Sequence, residues 1–332
     1  LNELVFFVNN VVISGLTIGS IYALGAVGIT LIFSILRFAH FAHADLMTLG
    51  AFFAFFLTTL FPAAGPAIGL PTAFVMLPFA MALTALSAVY IDKAFYRPLR
   101  SHGVKPIVIV MASLGVTLML QGLIRMFMGT GARNMYIDDR KGIHRIDLPF
   151  DLANRPLVLT DPQILLLLFL VVAVIALHLF LTRSRLGKAM RAMSDNPDLA
   201  RVSGINTDTV VKVTWVIAGC LAAAAGTLLS LDVSLKPDLS FHLLLPIFAA
   251  AIVGGVGHPY GALAGGFVIG FAETLSVFNW SVLLRPLRDY LWFDLPANLS
   301  FVSSEYKITV PFFILLAILV WRPTGLFKGK VL

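Results

Sequence analysis

Apolar residues run along this chain in long blocks. Nine of them, roughly 5–36, 44–61, 68–91, 106–128, 162–182, 209–231, 242–256, 260–280 and 308–321, reach or approach the length of a membrane-crossing helix, which needs about 20 mostly apolar residues. The first block is too long for one straight helix. Gly15, Gly19, Gly25 and Gly28 within it predict a long tilted helix or a broken one. The block at 242–256 is short, which predicts a half-helix or a re-entrant piece. Polar residues between the blocks follow the rules of helix ends. Asp161 before Pro162 predicts an N-cap and a first turn, and "NTD" at 206–208 predicts the same for the next span. Pro98 and Pro106 bracket a turn, and Pro323 ends the last span. No Ser- or Gly-rich linker sets off a soluble part, so one transmembrane domain over 1–332 is expected.

Composition agrees with that pattern. Of 332 residues, 59% are hydrophobic and 12% charged, against about 45–50% and about 25% in soluble domains. The predicted fold is an all-α, polytopic integral membrane protein with about nine spans (8–10). The net charge of +7 is gathered between the apolar blocks. It is read as a positive-inside bias, and no nucleic-acid partner is expected. Lys93, Arg97, Arg100 and Lys105 fill one loop, and Arg183, Arg185, Lys188, Arg191 and Arg201 another. Arg322, Lys328 and Lys330 mark the C-terminal tail, while loop 129–161 mixes five basic with five acidic residues. Placing the three basic segments in the cytoplasm lets nine spans alternate, with the N-terminus outside and the C-terminus inside. Cys220, the single cysteine, lies in an apolar run and excludes a disulfide framework. The first apolar run lacks a basic leader and a cleavage site, so no cleavable signal peptide is expected.

Catalytic patterns are missing. There is no G-x-x-x-x-G-K-[ST] loop, no H-E-x-x-H, no cysteine pair and no G-x-S-x-G elbow. A non-enzymatic chain without a cofactor or metal is expected. "HFAH" places His40 and His43 three apart, a weak metal site at a predicted cytoplasmic boundary. "GGVGHPYGALAGGFVIG" at 254–270 has glycines every four residues, which suits close helix packing or the lining of a path. Glu273 lies well inside a span. It is either a functional carboxylate or half of a helix-to-helix bond near the outer leaflet. Gln121 and Arg125 share a helical face, His178 and Lys212 lie near cytoplasmic ends, and Asn10, Ser14, Thr17, Ser20 and Thr30 give the first block a polar thread. A secondary transporter, with Glu273 and the His40/His43 pair as a proton relay, is one reading of these residues.

The stretch "TRSRLGKAMRAMSDNPDLARVSGINTD" at 182–208 is too long for a simple hairpin. Arg185 to Ser194 predicts an amphipathic helix with Leu186, Met190 and Met193 on one side. Asp195, Asn196 and Pro197 break it and cap a second helix, Asp198 to Ser203, ended by Gly204. Such a pair suits a groove in a soluble partner or a membrane surface.

The segment "DLARVSG" resembles the core of the "EAA" loop of ABC-importer permeases, with Ala200 and Gly204 four apart. It departs at Asp198 and Leu199 and lacks the later Leu-Pro. "GKAMRAMSDNPDLARVSGINTDTVVK" is similar to the cytoplasmic loop of the branched-chain amino-acid permease family. "GLTIGSIYALGAVGITLIFSILRFAHFAHADLMTLGAF" at 15–52 resembles the start of its LivH-type members, with His40 and Ala44 in place of the usual Asn and Gly. "YRPLR" at 96–100, "ASLGVTLMLQGL" at 112–123, "GGVGHPYGALAGGFVIGFAE" and "RPTGLF" at 322–327 extend the likeness over nearly the whole chain.

This resemblance implies a multi-pass permease of the bacterial inner membrane. It would work with a LivM-like second permease, two cytoplasmic ATPases (LivG- and LivF-like) and a periplasmic binding protein (LivJ- or LivK-like). It also implies that 183–208 is a cytoplasmic coupling loop, with Gly187, Arg191, Asp195, Ala200 and Gly204 as its contact residues. Thr17, Ser20, His43, Gly254 and Gly257 are the residues expected to line a path. Loops 129–161 and 281–307 are the candidate docking surfaces for the binding protein. The expected cargo is a branched-chain or related amino acid, with urea or short amides as the alternative.

Overall fold

The structure, a computed structural model, describes residues 2–147, 155–286, 296–322 and 324–327. Pro323, Lys328, Lys330 and the middle of both candidate docking loops (148–154 and 287–295) lie outside the described residues. The apolar blocks are helices. They are α1 (Asn2–Leu36), α2 (His43–Leu60), α3 (Leu77–Ser101), α4 (Pro106–Met128) and α5 (Asp161–Arg183). Two short helices follow, α6 (Arg185–Asp195) and α7 (Pro197–Val202). Then come α8 (Thr207–Asp232), α9 (Phe241–Gly254), α10 (Pro259–Val277) and α11 (Thr309–Trp321). Seven of these are long and apolar enough to cross a membrane, and α9 and α11 are shorter apolar helices. The chain is thus a multi-pass, helical membrane protein.

Small residues decide what lies in the middle. α1 is buried along most of its length against α10, α8 and α9. Gly19 faces Phe267 and Gly270, and Ala23 faces Gly266, so α1 and α10 run antiparallel at close range. Gly226 of α8 lies on the Met47 backbone of α2, and Gly219 on Ala85 of α3. Backbones meet this closely where side chains are small, which gives van der Waals contact that lipid cannot match. α5 is peripheral, with Leu168, Val171, Val172 and Ile175 exposed. An apolar cleft of about 890 Å³ opens between α2, α3 and α4.

α1 is neither broken nor uniform, because Val8–Ile13 forms a π-helical stretch within it. A second π-helical stretch, Asp92–Tyr96, precedes Pro98. The helix therefore runs through Pro98 to Ser101 instead of turning there. The wider turn moves the hydrogen bonds one residue along, which accommodates a proline that lacks an N–H. At the start of α5 the expected cap is corrected as well. Thr160 is the cap residue and donates its N–H to the Gln163 side chain. Asp161 instead accepts from the Gly142 N–H and pairs with His144. Outside the spans, Ile143–Ile146 and Leu157–Thr160 form a two-stranded antiparallel ribbon, and Arg133 bridges Leu235 in the same manner, so the chain departs from all-α at these places.

The ends separate by charge. Arg37 meets Ser194, Arg97 pairs with Asp208, and the Leu326 N–H bonds to the Val253 carbonyl at one end. At the other end Asn9 bonds to Pro156 and Val158, Thr72 to Asp139, and Lys141 to Asp232. The first end carries the basic loops, the side that the positive-inside bias would place in the cytoplasm.

Candidate functional site

Between α1 and α2 the chain does not turn back at the membrane edge. Arg37 adopts a left-handed backbone, φ 58°, and residues 38–42 thread inward without helical structure. The His43 ring packs on Gly28, more than two turns up α1 from its end. His40 and His43 are therefore fully buried, not residues of the cytoplasmic boundary. Non-helical backbone at this depth is tolerated when it is enclosed by protein and its polar groups have partners. Here the Phe41 N–H donates to Ser113 Oγ at 3.3 Å, and His40 Nε2 shares a hydrogen bond with the Tyr96 hydroxyl at 3.0 Å. Tyr96 stacks on Trp215, and His40 meets the Trp215 ring edge-on. Farther along α2, Gln121 Nε2 donates to Asp45 Oδ1 at 3.0 Å.

A second break faces it from the other side. After α8, residues 233–240 fold back into the protein, and the Ser240 N–H donates to Thr48 Oγ1 at 3.3 Å. The first turns of α2 thus lie between two interruptions. Around them are buried polar atoms without protein partners, namely both nitrogens of His43, Trp215 Nε1 and Ser240 Oγ. Buried polar groups ordinarily have partners.

Of the expected path residues, His43 belongs to this cluster. Thr17 and Ser20 are buried and donate their hydroxyls to Ile13 and Leu16 of their own helix. Gly254 packs on the Gly261 backbone between α9 and α10, leaving no room for a Cβ. Gly257 lies in the turn that follows.

The loop at 183–208 forms as its sequence suggests. Asn196 caps α7 by accepting from the N–H groups of Asp198 and Leu199, and Ser184 caps α6 through Gly187. Gly187 packs against Phe180 and Leu181, and Ala200, Met190 and Met193 are buried, so they fasten the loop to the bundle. Leu186 is exposed instead of sharing the methionine side. Arg191, Asp195 and Gly204 lie at the surface, Gly204 at φ 80°. Beside them are two apolar side chains that sequence reading missed, Leu199 at 63% and Val202 at 86% exposure. The signal was present, because two apolar residues three apart on a short polar helix lie on one face. The Arg37 guanidinium donates to the Ser194 carbonyl at the end of α6, which joins this loop to the first break.

At the outer end, Ala132, Arg133, Asn134, Tyr136, Asp139 and Lys141 line a cavity of about 590 Å³ with Asp232 and Ser234. Burial and the nearby carboxylates of Asp139, Asp161 and Asp232 push the Tyr136 hydroxyl well above its ordinary pKa. Glu273 sits deeper, accepting from the Tyr22 hydroxyl at 2.6 Å and facing Lys307 at 3.4 Å. Both partners come from other segments, as the helix-to-helix reading of Glu273 anticipates.

A family profile described as "Branched-chain amino acid transport system / permease component" matches residues 11–319. Among curated proteins, the high-affinity branched-chain amino acid transport system permease protein LivH of Escherichia coli K12 is 29% identical, over 94% of this chain and 93% of its own length. The corresponding protein BraD of Pseudomonas aeruginosa is 28% identical over 95% and 94%. The probable branched-chain amino acid transport permease protein LivH of Methanocaldococcus jannaschii is 29% identical over 76% of each chain. No solved structure matches.

Proposed function

Because the chain belongs to the branched-chain amino acid transport system permease component family, we propose that it is the membrane permease of an ATP-driven importer for branched-chain amino acids. It sits in a bacterial inner membrane beside a LivM-like permease, two LivG- and LivF-like ATPases, and a LivJ- or LivK-like binding protein. ATP hydrolysis belongs to the separate ATPase chains. The observation that carries the reading is the loop 183–208, a capped helical pair fastened from beneath by Gly187, Met190, Met193 and Ala200, with Leu199 and Val202 bare above. An apolar pair at helical spacing suits a groove on a soluble partner. Closure of the ATPase dimer pushes on Arg191, Asp195 and Gly204. Arg37 passes that displacement to the buried break at His40 and His43, and the helices alternate between outward- and inward-open forms.

The test is uptake of labelled L-leucine by proteoliposomes holding this chain with its permease, ATPase and binding-protein partners. Uptake should require internal ATP and the binding protein and should persist when ionophores collapse the ion gradients. Uptake that ignores ATP and stops with the gradients would overturn the importer reading in favour of a secondary transporter.

A further inference from the structure

Near the outer end of α1 a second cavity, of about 380 Å³, has a different character from the apolar cleft. Phe6, Ile18, Val277, Phe278 and Val282 form its apolar wall, and Glu273 and Lys307 lie side by side in its lining. Its volume lies at the small end of ligand pockets, about 300–1,000 Å³. The π-helical stretch Val8–Ile13 brings Asn10 to the rim, and such local widenings of helices recur at functional sites.

The charges in this cavity are incompletely matched. Glu273 is 3% exposed and Lys307 half exposed, and Nζ stands 3.4 Å from Oε1. Lys141–Asp232 and Arg100–Asp92 each close to 2.7 Å, within the usual range of about 2.7–2.9 Å for a charge-assisted hydrogen bond. Glu273 Oε2 is held by Tyr22, which fixes the carboxylate while Oε1 retains capacity for a second cationic donor. Lys307 likewise has protons to give an anion.

We infer that this cavity binds the zwitterion of a free α-amino acid. The ammonium lies on Glu273 Oε1, the carboxylate on Lys307 Nζ, and the aliphatic side chain against Ile18, Val277 and Val282. The inference rests on the reading of the chain as an amino-acid permease and locates an external site for its substrate. A ligand with both charges completes a square of alternating charges and adds no net charge. A ligand with one charge leaves an uncompensated ion beside a buried carboxylate, which is disfavoured. The cavity therefore selects for the pair of head groups before it selects for the side chain.

The test uses the reconstituted membrane complex without its binding protein, in a Cys220→Ala background with Val282→Cys as a reporter thiol. Its labelling by a maleimide is followed in nanodiscs of phosphatidylglycerol and of phosphatidylethanolamine. L-Leucine should slow labelling in both lipids, whereas 4-methylpentanoate and 3-methylbutylamine, each lacking one head group, should not. Lys307→Met should weaken that protection about tenfold or more, the loss of one charge-assisted hydrogen bond. Glu273→Gln/Lys307→Met, which leaves no lone buried charge, should abolish it while the complex still assembles. Equal protection by the two single-headed analogues would overturn the site. So would slowed labelling without amino acid in phosphatidylethanolamine alone, which would mark a lipid head group as the occupant. Absence of leucine protection in a complex that imports leucine would refute the cavity and leave the importer standing. A complex that imports no leucine would instead remove the functional reading beneath it.

Discussion

At the scale of single residues, the buried cluster around α2 is held by a few polar contacts whose loss is asymmetric. Gln121 gives Asp45 Oδ1 its amide donor. Gln121→Leu should destabilise the purified chain by about 1–3 kcal/mol, the cost of leaving a buried acceptor unsatisfied. A thermal-unfolding shift in detergent reads this, and an unchanged midpoint would mean that water already satisfies the carboxylate. On the coupling loop, Val202 is exposed and touches little of its own chain. Val202→Asp should leave expression and stability intact and reduce ATP-dependent uptake about tenfold or more, because a charge replaces an apolar anchor in the partner groove. Normal uptake by that variant would remove Val202 from the contact. The loop's outline was legible in Asn196, Pro197 and Gly204, whose roles are local. Its apolar face was not, because exposure depends on Met190, Met193 and Ala200 turning toward the bundle.

Elements show where periodicity informs and where it fails. Apolar blocks marked the spans closely, as at 106–128, where Pro106 and Met128 bound the helix. α3 begins later than its block, because residues 62–71 form short turns that are apolar without being a long helix. The extended passage 38–42 was read as a boundary because two histidines beside an arginine resemble a membrane edge. Its real partners, Tyr96, Ser113 and Trp215, are far away in sequence. π-helical stretches leave no compositional mark at all. The contact between Arg37 and Ser194 joins α6 to the broken passage. Arg37→Ala should retain ATPase binding but lower uptake per ATP hydrolysed, by about tenfold if the full loss of one charge-assisted hydrogen bond reaches the coupling step. Equal uptake per ATP would show that force travels by another route, such as Met190 and Met193.

For the whole molecule, the basic segments expected to share one side do come together, Arg37 with Ser194 and Arg97 with Asp208. The site was less legible, since Tyr22, Glu273 and Lys307 meet only through tertiary packing. One feature of α9 reaches beyond transport to biogenesis. Its 14 residues, Phe241–Gly254, extend about 21 Å at about 1.5 Å each, short of a hydrocarbon layer of about 30 Å. Its insertion should therefore depend on α10, whose Gly261 and Gly265 seat against Gly254 and Ala250, the two entering the bilayer as one hairpin. A reporter domain fused directly after Gly254 should therefore remain on the outer face, opposite the side that the basic loops share. A cytoplasmic reporter at that point would mean that α9 inserts without help. The glycines that bring two helices together in the folded permease thereby also set the order in which its last third can be made.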